Sequence, residues 1–550
     1  MLLKIRILFV VLNVVYGICR RLLLLICKKP PSIPPITDSV YMLSATTLAK
    51  KIRQKEITSY EVVQAYINRI KDVNPFINAV IDERFVAAID EAKNYDKQFK
   101  EGKIDVETLE KEKPLYGVPI TVKECCAVTG CSYTGCTLSR KGIKANHDAV
   151  IIQLVRNAGA IPLCVTNTPE MCSGFESTNY LHGRTRNPYD ARYSAGGSSG
   201  GEGALLGAGG SVIGIGSDLG GSIRMPAFLN GIFGHKPTSG IIPSEGHFPY
   251  SDDKFFQMLL TFGPMARYAE DLSLLMKVMT SKCNHDLRLD VPVNLQQIKI
   301  YYRECLDQSF GVLPMTNTIK KCIVNAANHF AQQGVRVEKL PIEWPVTLTE
   351  MMLVGFLNIK NPPPLLIDSN NPKDKKNPVT ELIKSFFGLS RYTKQLLLFA
   401  TLLDTHFPLK PLEISHYTKK GQELRQKLLV SVSFAIVAFA RADLPKFFLF
   451  FSQDLLGDDG VFIYPTFRGS VLPQLIAYEL LSLSSLGFFN IIGFPAAHVP
   501  MGLDHAGMPI GVQIIAAPYQ DRLCLAVAKE LETAFGGWVP PAASLDDSSK

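Results

Sequence analysis

The sequence predicts an α/β fold, a large sheet flanked by helices, and three observations predict it. The chain has 550 residues, 47% of them hydrophobic and 20% charged, which suffices for one extensive core and is too apolar for a wholly disordered, collagen-like or coiled-coil protein. Between residues 115 and 240 short apolar runs (GVPITV, AIPLCV, SVIGIG) are separated by Gly-, Ser- and Pro-rich turns and by a helical stretch, Ala149–Ala158. The final hundred residues return to the same texture with HVPMG and MPIGVQII. Strands alternating with helices require a sheet whose faces the helices cover.

Taken in chain order, the N-terminus reads as a membrane anchor over 1–29. Between Arg6 and Arg20 lie thirteen uncharged, mostly apolar residues, roughly 20 Å as a helix against a hydrocarbon core of about 30 Å. Leu22–Cys27 supplies the missing length but places Arg20 and Arg21 inside, at about 2.5–3.5 kcal/mol each if central. A tilted span and a helix lying in the interface both fit, and no small-x-small cleavage site follows the run. Formal net charge is +8, and residues 1–60 carry ten Lys or Arg against Asp38 and Glu56, so the whole excess flanks this segment. That pattern points to a membrane partner and not to nucleic acid, whose enzymes spread a basic stripe over the folded domain. Four basic residues follow the apolar run and two precede it, which places the catalytic part in the cytosol, and the absence of an N-x-S/T sequon agrees.

A Pro-rich linker occupies 30–41, and the folded domain is expected over 42–538, followed by a flexible tail at 539–550. Two helices open the domain, one near Ser44–Gln54 and one with a Thr58-x-x-Glu61 capping box. The second presents Val62, Val63, Tyr66, Ile70 and Val73 on one face and is expected to stop at Asn74-Pro75. Residues 340–450 are less regular and rich in Leu and Phe. Twelve cysteines form no CxxC pair, and the cluster Cys125, Cys126, Cys131 and Cys136 has the spacing of no common zinc site, so it reads as reduced thiols. There is no internal repeat.

Chemistry concentrates in Gly196–Gly240, GGSSGGEGALLGAGGSVIGIGSDLGGSIRMPAFLNGIFGHKPTSG, too dense in Gly and Ser for ordinary core. A phosphate loop would need GxxxxGK[ST] or GxGxxG opening a helix, and the Walker lysine is missing. A nucleophile elbow fits better, since Gly196–Gly200 matches GxSxG around Ser198, with an acid and a histidine to be found downstream.

A third reading uses the whole stretch. GGSSGGEGALLGAGG followed by GSDLGGSIRMPA, with GVPITVKE upstream, resembles the amidase signature family. TNTPE at Thr166–Glu170, GRTRNPYD at Gly183–Asp190, GPMAR at Gly263–Arg267 and PAAHVPMGLDHAGMPIGVQ extend the resemblance over roughly 42–340 and 455–538. YINRIKDVNP, MPAFLNGIFGHKP and the apolar N-terminus are most similar to members that act on fatty acid amides. The resemblance implies a large mixed sheet flanked by helices and a triad of Lys123, Ser198 and Ser222. Ser222 would be the nucleophile, with Ser198 relaying its proton to Lys123 across a cis Gly197–Ser198 peptide. A serine hydroxyl needs such a base, and burial beside Val118, Ile120 and Val122 would favour the neutral amine. The backbone N–H groups of Leu219, Gly220, Gly221 and Ser222 would form the oxyanion hole, with Ser199, Asp218 and Arg224 supporting the loop, Asp218 and Arg224 as an ion pair.

The expected function is therefore hydrolysis of fatty acid amides, N-acylethanolamines and primary amides, by an acyl-enzyme. The expected location is a membrane, endoplasmic reticulum or lipid droplet. An amidotransferase subunit that releases ammonia from glutamine, and an inactive membrane-anchored binding protein on the same scaffold, are the alternatives. No metal or organic cofactor is implied, and assembly as a homodimer is left open. Met351–Leu357 and Leu396–Leu403 are candidates for an acyl channel or membrane face, against ordinary helix core as the competing reading. Family members run directly from a helix like QELRQKLL to a segment like DLLGDDGVF. Here Val430–Gln453 intervenes, opening with Val-Ser and ending FFLFFSQ, so an in-frame retained intron competes with a true apolar insertion.

Overall fold

The computed structural model describes residues 15–305, 312–340, 348–368, 371–405 and 456–541. Val430–Gln453 lies outside them. Eleven strands form one sheet: β1 (Val80–Glu83), β2 (Pro119–Lys123), β3 (Ile161–Thr166), β4 (Ile213–Asp218), β5 (Phe233–Lys236), β6 (Thr261–Ala266), β7 (Lys299–Tyr302), β8 (Arg336–Lys339), β9 (Gly460–Pro465), β10 (Ala496–Leu503) and β11 (Pro509–Ala516). Their spatial order is β1-β3-β2-β4-β6-β5-β10-β11-β9-β7-β8. β2 runs parallel to β3 and β4, and β9 to β7, while the centre from β4 to β11 is antiparallel, so the sheet is mixed as the family resemblance implies. β2, β3, β4, β6 and β9 are buried at every residue, which explains their continuous apolar runs in place of strict alternation.

The first helices follow from local chemistry. Ser44 caps Ala45–Arg53 by accepting from the Thr47 N–H, and Thr58 caps Ser59–Ile77 with the reciprocal Glu61 contact in place. This second helix runs on past Asn74-Pro75 to Ile77, which corrects the expected stop. Asn78 adopts a left-handed conformation and donates to the Asn74 carbonyl, and the Asn74 side chain accepts from Ala79 and Val80, so the end is satisfied one turn later. Val150–Asn157 occupies the stretch expected at Ala149–Ala158. Within 340–450, helices Leu348–Leu357, Pro378–Phe386 and Lys394–Thr405 give more order than the sequence suggested.

Among the described residues no helix is long and apolar enough to cross a membrane. Residues 15–26 form a helix roughly 18 Å long. It lies against the domain: Tyr16, Cys19, Leu23 and Leu24 pack with Tyr189, Tyr193, Leu472 and Met508, and the Arg192 guanidinium donates to the Leu24 carbonyl at 3.4 Å. Val15, Ile18, Leu22, Leu25 and Ile26 recur at helical spacing on the other face and are exposed. Residues 1–14 lie outside the described residues. The linker after this helix is tied down, since Arg69 donates to the carbonyls of Pro34 and Pro35 at 2.9 and 3.1 Å. At the other end Tyr189 donates to the Val539 carbonyl at 2.6 Å, so the expected tail is attached at its start, and 542–550 lie outside the described residues.

Candidate active site

β2 and β4 are parallel neighbours, with Thr121 opposite Gly214 and Val122 opposite Ile215, so both end at the same edge of the sheet. Ligand sites of α/β sheets lie outside such carboxyl ends. Lys123 is the last residue of β2, and Ser217 and Asp218 close β4. A third segment, entering the helix Gly200–Gly207, brings in Ser198 and Ser199; the turn after Asp218 brings in Ser222 ahead of the helix Arg224–Leu229. Ser199 joins the pieces: its N–H donates to the Ser222 carbonyl at 3.1 Å and its hydroxyl to the Ser217 carbonyl at 3.3 Å.

At their meeting point Lys123 Nζ lies 2.6 Å from Ser198 Oγ, 2.9 Å from Ser217 Oγ and 3.3 Å from the Ser217 carbonyl. The Gly197–Ser198 peptide is cis. A Cβ on Gly197 would stand 2.7 Å from the Gly174 carbonyl oxygen, so only glycine lets the two backbones approach. Exposure grades across the predicted triad: Lys123 0%, Ser198 2% and Ser222 7%. Ser222 is thus the most exposed of the three.

The turn carrying Ser222 is held by a buried polar cluster. Asp218 accepts from the backbone N–H groups of Gly221 at 2.6 Å and Ile223 at 3.1 Å, and from Arg224 Nε and Nη2 at 3.1 and 3.2 Å. Burial alone would raise the Asp218 carboxyl, but the Arg224 guanidinium and the Gly221 N–H outweigh it and hold the group well below the usual carboxylate range. Arg224 also donates to Gln513 Oε1, the Leu486 carbonyl and Asn490 Oδ1, and Asn490 Nδ2 returns a bond to Asp218 at 2.9 Å. The Gly221 N–H, one of the four expected oxyanion donors, is thus bonded to Asp218 in this structure. Gly221 has φ +117°, and a Cβ there would meet Leu486 at 2.7 Å, so the turn needs glycine on both grounds. Replacing Arg224 by Ala leaves Asp218 buried and unpaired; the expected cost is about 3–5 kcal/mol, read as a fall in the denaturant midpoint of unfolding.

Four contributors escaped sequence reasoning. Ser217 and His247 back Lys123, while Asn490 and Gln513 complete the Arg224 cluster from 266 and 289 residues away. The available signal was a polar residue inside an apolar run, SSLGFFNI and PIGVQIIA, which marks a buried group needing a partner. The cysteine cluster also regroups: Cys125 joins Cys172 and His247, with ligand atoms within 4.8 Å of one another, the one set among the described residues that could hold a metal ion. Apolar cover comes from Leu348–Leu357. Phe356 lies over Gly220, packs with Leu219 and Met352, and meets the ring of Phe399 at 6.3 Å. Leu396 and Leu397 of the second apolar stretch are buried against Met171 and Tyr392, as core.

Comparison with known proteins agrees with this architecture. The family model described as Amidase matches residues 61–357 and 470–525. Fatty-acid amide hydrolase 2 of Homo sapiens is 39% identical over 515 residues, 92% of this chain and 92% of that one. Fatty-acid amide hydrolase 2-A of Danio rerio is 40% identical over 521 residues, again 92% of each. Among solved structures, a bacterial aryl acylamidase of the amidase signature enzymes superposes with a TM-score of 0.68 at 22% identity, over 92% of this chain and 100% of that one. At that identity the likeness is one of fold.

Proposed function

The chain belongs to the amidase signature family and is an amide hydrolase, and from this premise we propose that it cleaves fatty acid amides, N-acylethanolamines and primary amides, through an acyl-enzyme on Ser222. The observation that carries the mechanism is the 2.6 Å contact between Lys123 Nζ and Ser198 Oγ at the shared edge of β2 and β4. Neutral Lys123 takes the Ser198 proton while Ser198 takes that of Ser222, and Ser222 Oγ adds to the amide carbonyl carbon. The developing oxyanion faces the N–H groups of Leu219, Gly220 and Ser222, which are held by the Asp218–Arg224 cluster. The C–N bond then breaks as Lys123, through Ser198, returns its proton to the leaving nitrogen. Water attacks the acyl-enzyme with the same pair as base, releasing the fatty acid and restoring Ser222.

Two observations support a lipid substrate drawn from a membrane surface. Apolar side chains continue from the Ser222 turn through Phe356 to Phe399, and Leu382 of the helix Pro378–Phe386 packs into the same layer as Phe399. That helix ends in an exposed group, Phe386, Phe387 and Leu389, which the sequence reading did not single out. Each such side chain gains about 1.5–3 kcal/mol when fully buried, so three inserted together hold a protein on a bilayer. The helix over 15–26, with its apolar outer face, suits an interfacial anchor better than a span. The catalytic part then stays on the cytosolic side of an endoplasmic-reticulum or lipid-droplet surface.

Release of oleic acid from oleamide by the purified chain tests the substrate class: turnover of the long-chain amide should far exceed that of acetamide, and equal turnover would overturn the lipid assignment. For the surface, full-length protein should co-sediment with phosphatidylcholine vesicles, and Phe386→Ser, Phe387→Ser, Leu389→Ser together should lower the bound fraction at least tenfold. Unchanged binding would sink the role given to this group.

A further inference from the structure

Behind Lys123 the hydrogen bonds continue into the core. Ser217 Oγ lies 2.9 Å from His247 Nε2, and His247 Nδ1 lies 2.8 Å from the Pro249 carbonyl. A carbonyl only accepts, so Nδ1 carries a proton. Burial draws the imidazole down to about 4, so the ring is neutral at pH 7 and Nε2 is a lone-pair acceptor. The Ser217 hydroxyl therefore points its proton at His247 and turns its oxygen lone pairs toward Lys123. A neutral amine has two N–H bonds and one lone pair. With Ser217 Oγ and the Ser217 carbonyl accepting the two N–H bonds, the lone pair is left for the remaining neighbour, Ser198 Oγ.

We propose that His247 is a positioning residue for the amide hydrolysis, acting through the Ser217 hydroxyl to aim the Lys123 lone pair at Ser198. Without the imidazole acceptor the Ser217 hydroxyl is free to rotate and donate to Lys123, capturing the lone pair that Ser198 needs. His247 is 30 residues from Ser217 in the chain and reaches it because the segment ending in the cis Phe248–Pro249 peptide turns back against β2, with Phe248 N–H donating to the Cys125 carbonyl. The Cys125 thiol approaches the same nitrogen at 3.2 Å, but a hydroxyl is the stronger donor. This also decides between the two uses of the Cys125, Cys172 and His247 cluster. Nε2 is the one ligand atom the ring has left, and a metal ion would have to take it from Ser217.

The proposal rests on Lys123 serving as base, and the experiment separates the two. Oleamide hydrolysis is measured for the full-length wild type and for Ser217→Ala, His247→Ala, His247→Gln and Cys125→Ala. Labelling by a fluorophosphonate, with the labelled peptide located by mass spectrometry, accompanies each. His247→Ala and Ser217→Ala should lower kcat about 10–100-fold, part of what a positioned base contributes, with KM within about twofold because neither residue meets substrate. His247→Gln should recover kcat to within about threefold, since its amide oxygen can accept where Nε2 did, and Cys125→Ala should stay within the same margin. Wild-type kcat in His247→Ala, a His247→Gln as impaired as His247→Ala, or a Cys125→Ala that reproduces the loss would each overturn the relay. If His247→Ala does not fold, Ser217→Ala against His247→Gln decides by the same criterion. Adduct on a residue other than Ser222 in the wild type overturns the underlying mechanism and the relay with it, whereas adduct on Ser222 with unchanged variants overturns the relay alone.

Discussion

Ser222→Ala is expected to abolish covalent labelling by a fluorophosphonate and to lower amide turnover to background, while Ser198→Ala should still label at Ser222, more slowly. These outcomes separate the two serines. In the elbow reading Ser198 is covalent and a downstream histidine is its base. In the structure Ser198 faces Lys123 at 2.6 Å, and the first two histidines downstream of it are committed elsewhere: His247 bonds Pro249 and Ser217, and His235 bonds the Asp521 carboxylate at 2.9 Å. Ser222 has the greater access, at 7% against 2%. Removing the atom that forms the covalent bond leaves no residual route, so the expected loss is complete. Adduct on Ser198 in the wild type, or undiminished labelling of Ser222→Ala, would return the assignment to the elbow.

Lys123→Ala has the second largest effect. A positioned base contributes roughly 10²–10⁴ in rate, and nothing else near Ser198 replaces it. Glu202 is another buried carboxyl in the same core, yet it is already bonded by Thr121 Oγ1 at 2.7 Å and Thr166 Oγ1 at 2.8 Å, and burial pushes it up to about 8, which keeps it mostly protonated at neutral pH. Labelling rates of wild type and Lys123→Ala check this, and a Lys123→Ala that labels at the wild-type rate would exclude Lys123 as the base.

The limits of what the chain discloses show in particular residues. The two capped N-terminal helices were legible because Ser44, Thr58 and Glu61 satisfy backbone groups within one turn, and such bonds depend on nothing remote. The end of the second helix was not legible, because the Asn78 conformation that closes it overrides the usual effect of Pro75. Lys123, Ser198 and Ser222 could be named together only through the resemblance of GVPITVKE, GGSSGG and GGSIR to the amidase signature family; the dense Gly and Ser by themselves marked backbone that must pass close to other backbone, as at Gly197 and Gly221. Their partners could not. Asn490 and His247 stand outside the quoted motifs and Gln513 ends one of them, yet each matters only as the far end of a hydrogen bond.

Composition, periodicity and turn chemistry by themselves determined the α/β class, the starts of the two N-terminal helices and the dense Gly–Ser stretch Gly196–Gly240, since each is a short-range property of the covalent chain. Tertiary structure decided the rest. It turned the Gly221 N–H to Asp218, placed a histidine behind the lysine, and packed one face of the N-terminal helix on the domain while leaving Phe386, Phe387 and Leu389 exposed. The physical reason is common to all of these: a buried donor or an apolar face must find a partner, and which one it finds is set by whatever the folded chain brings within a few ångströms, not by distance along the sequence.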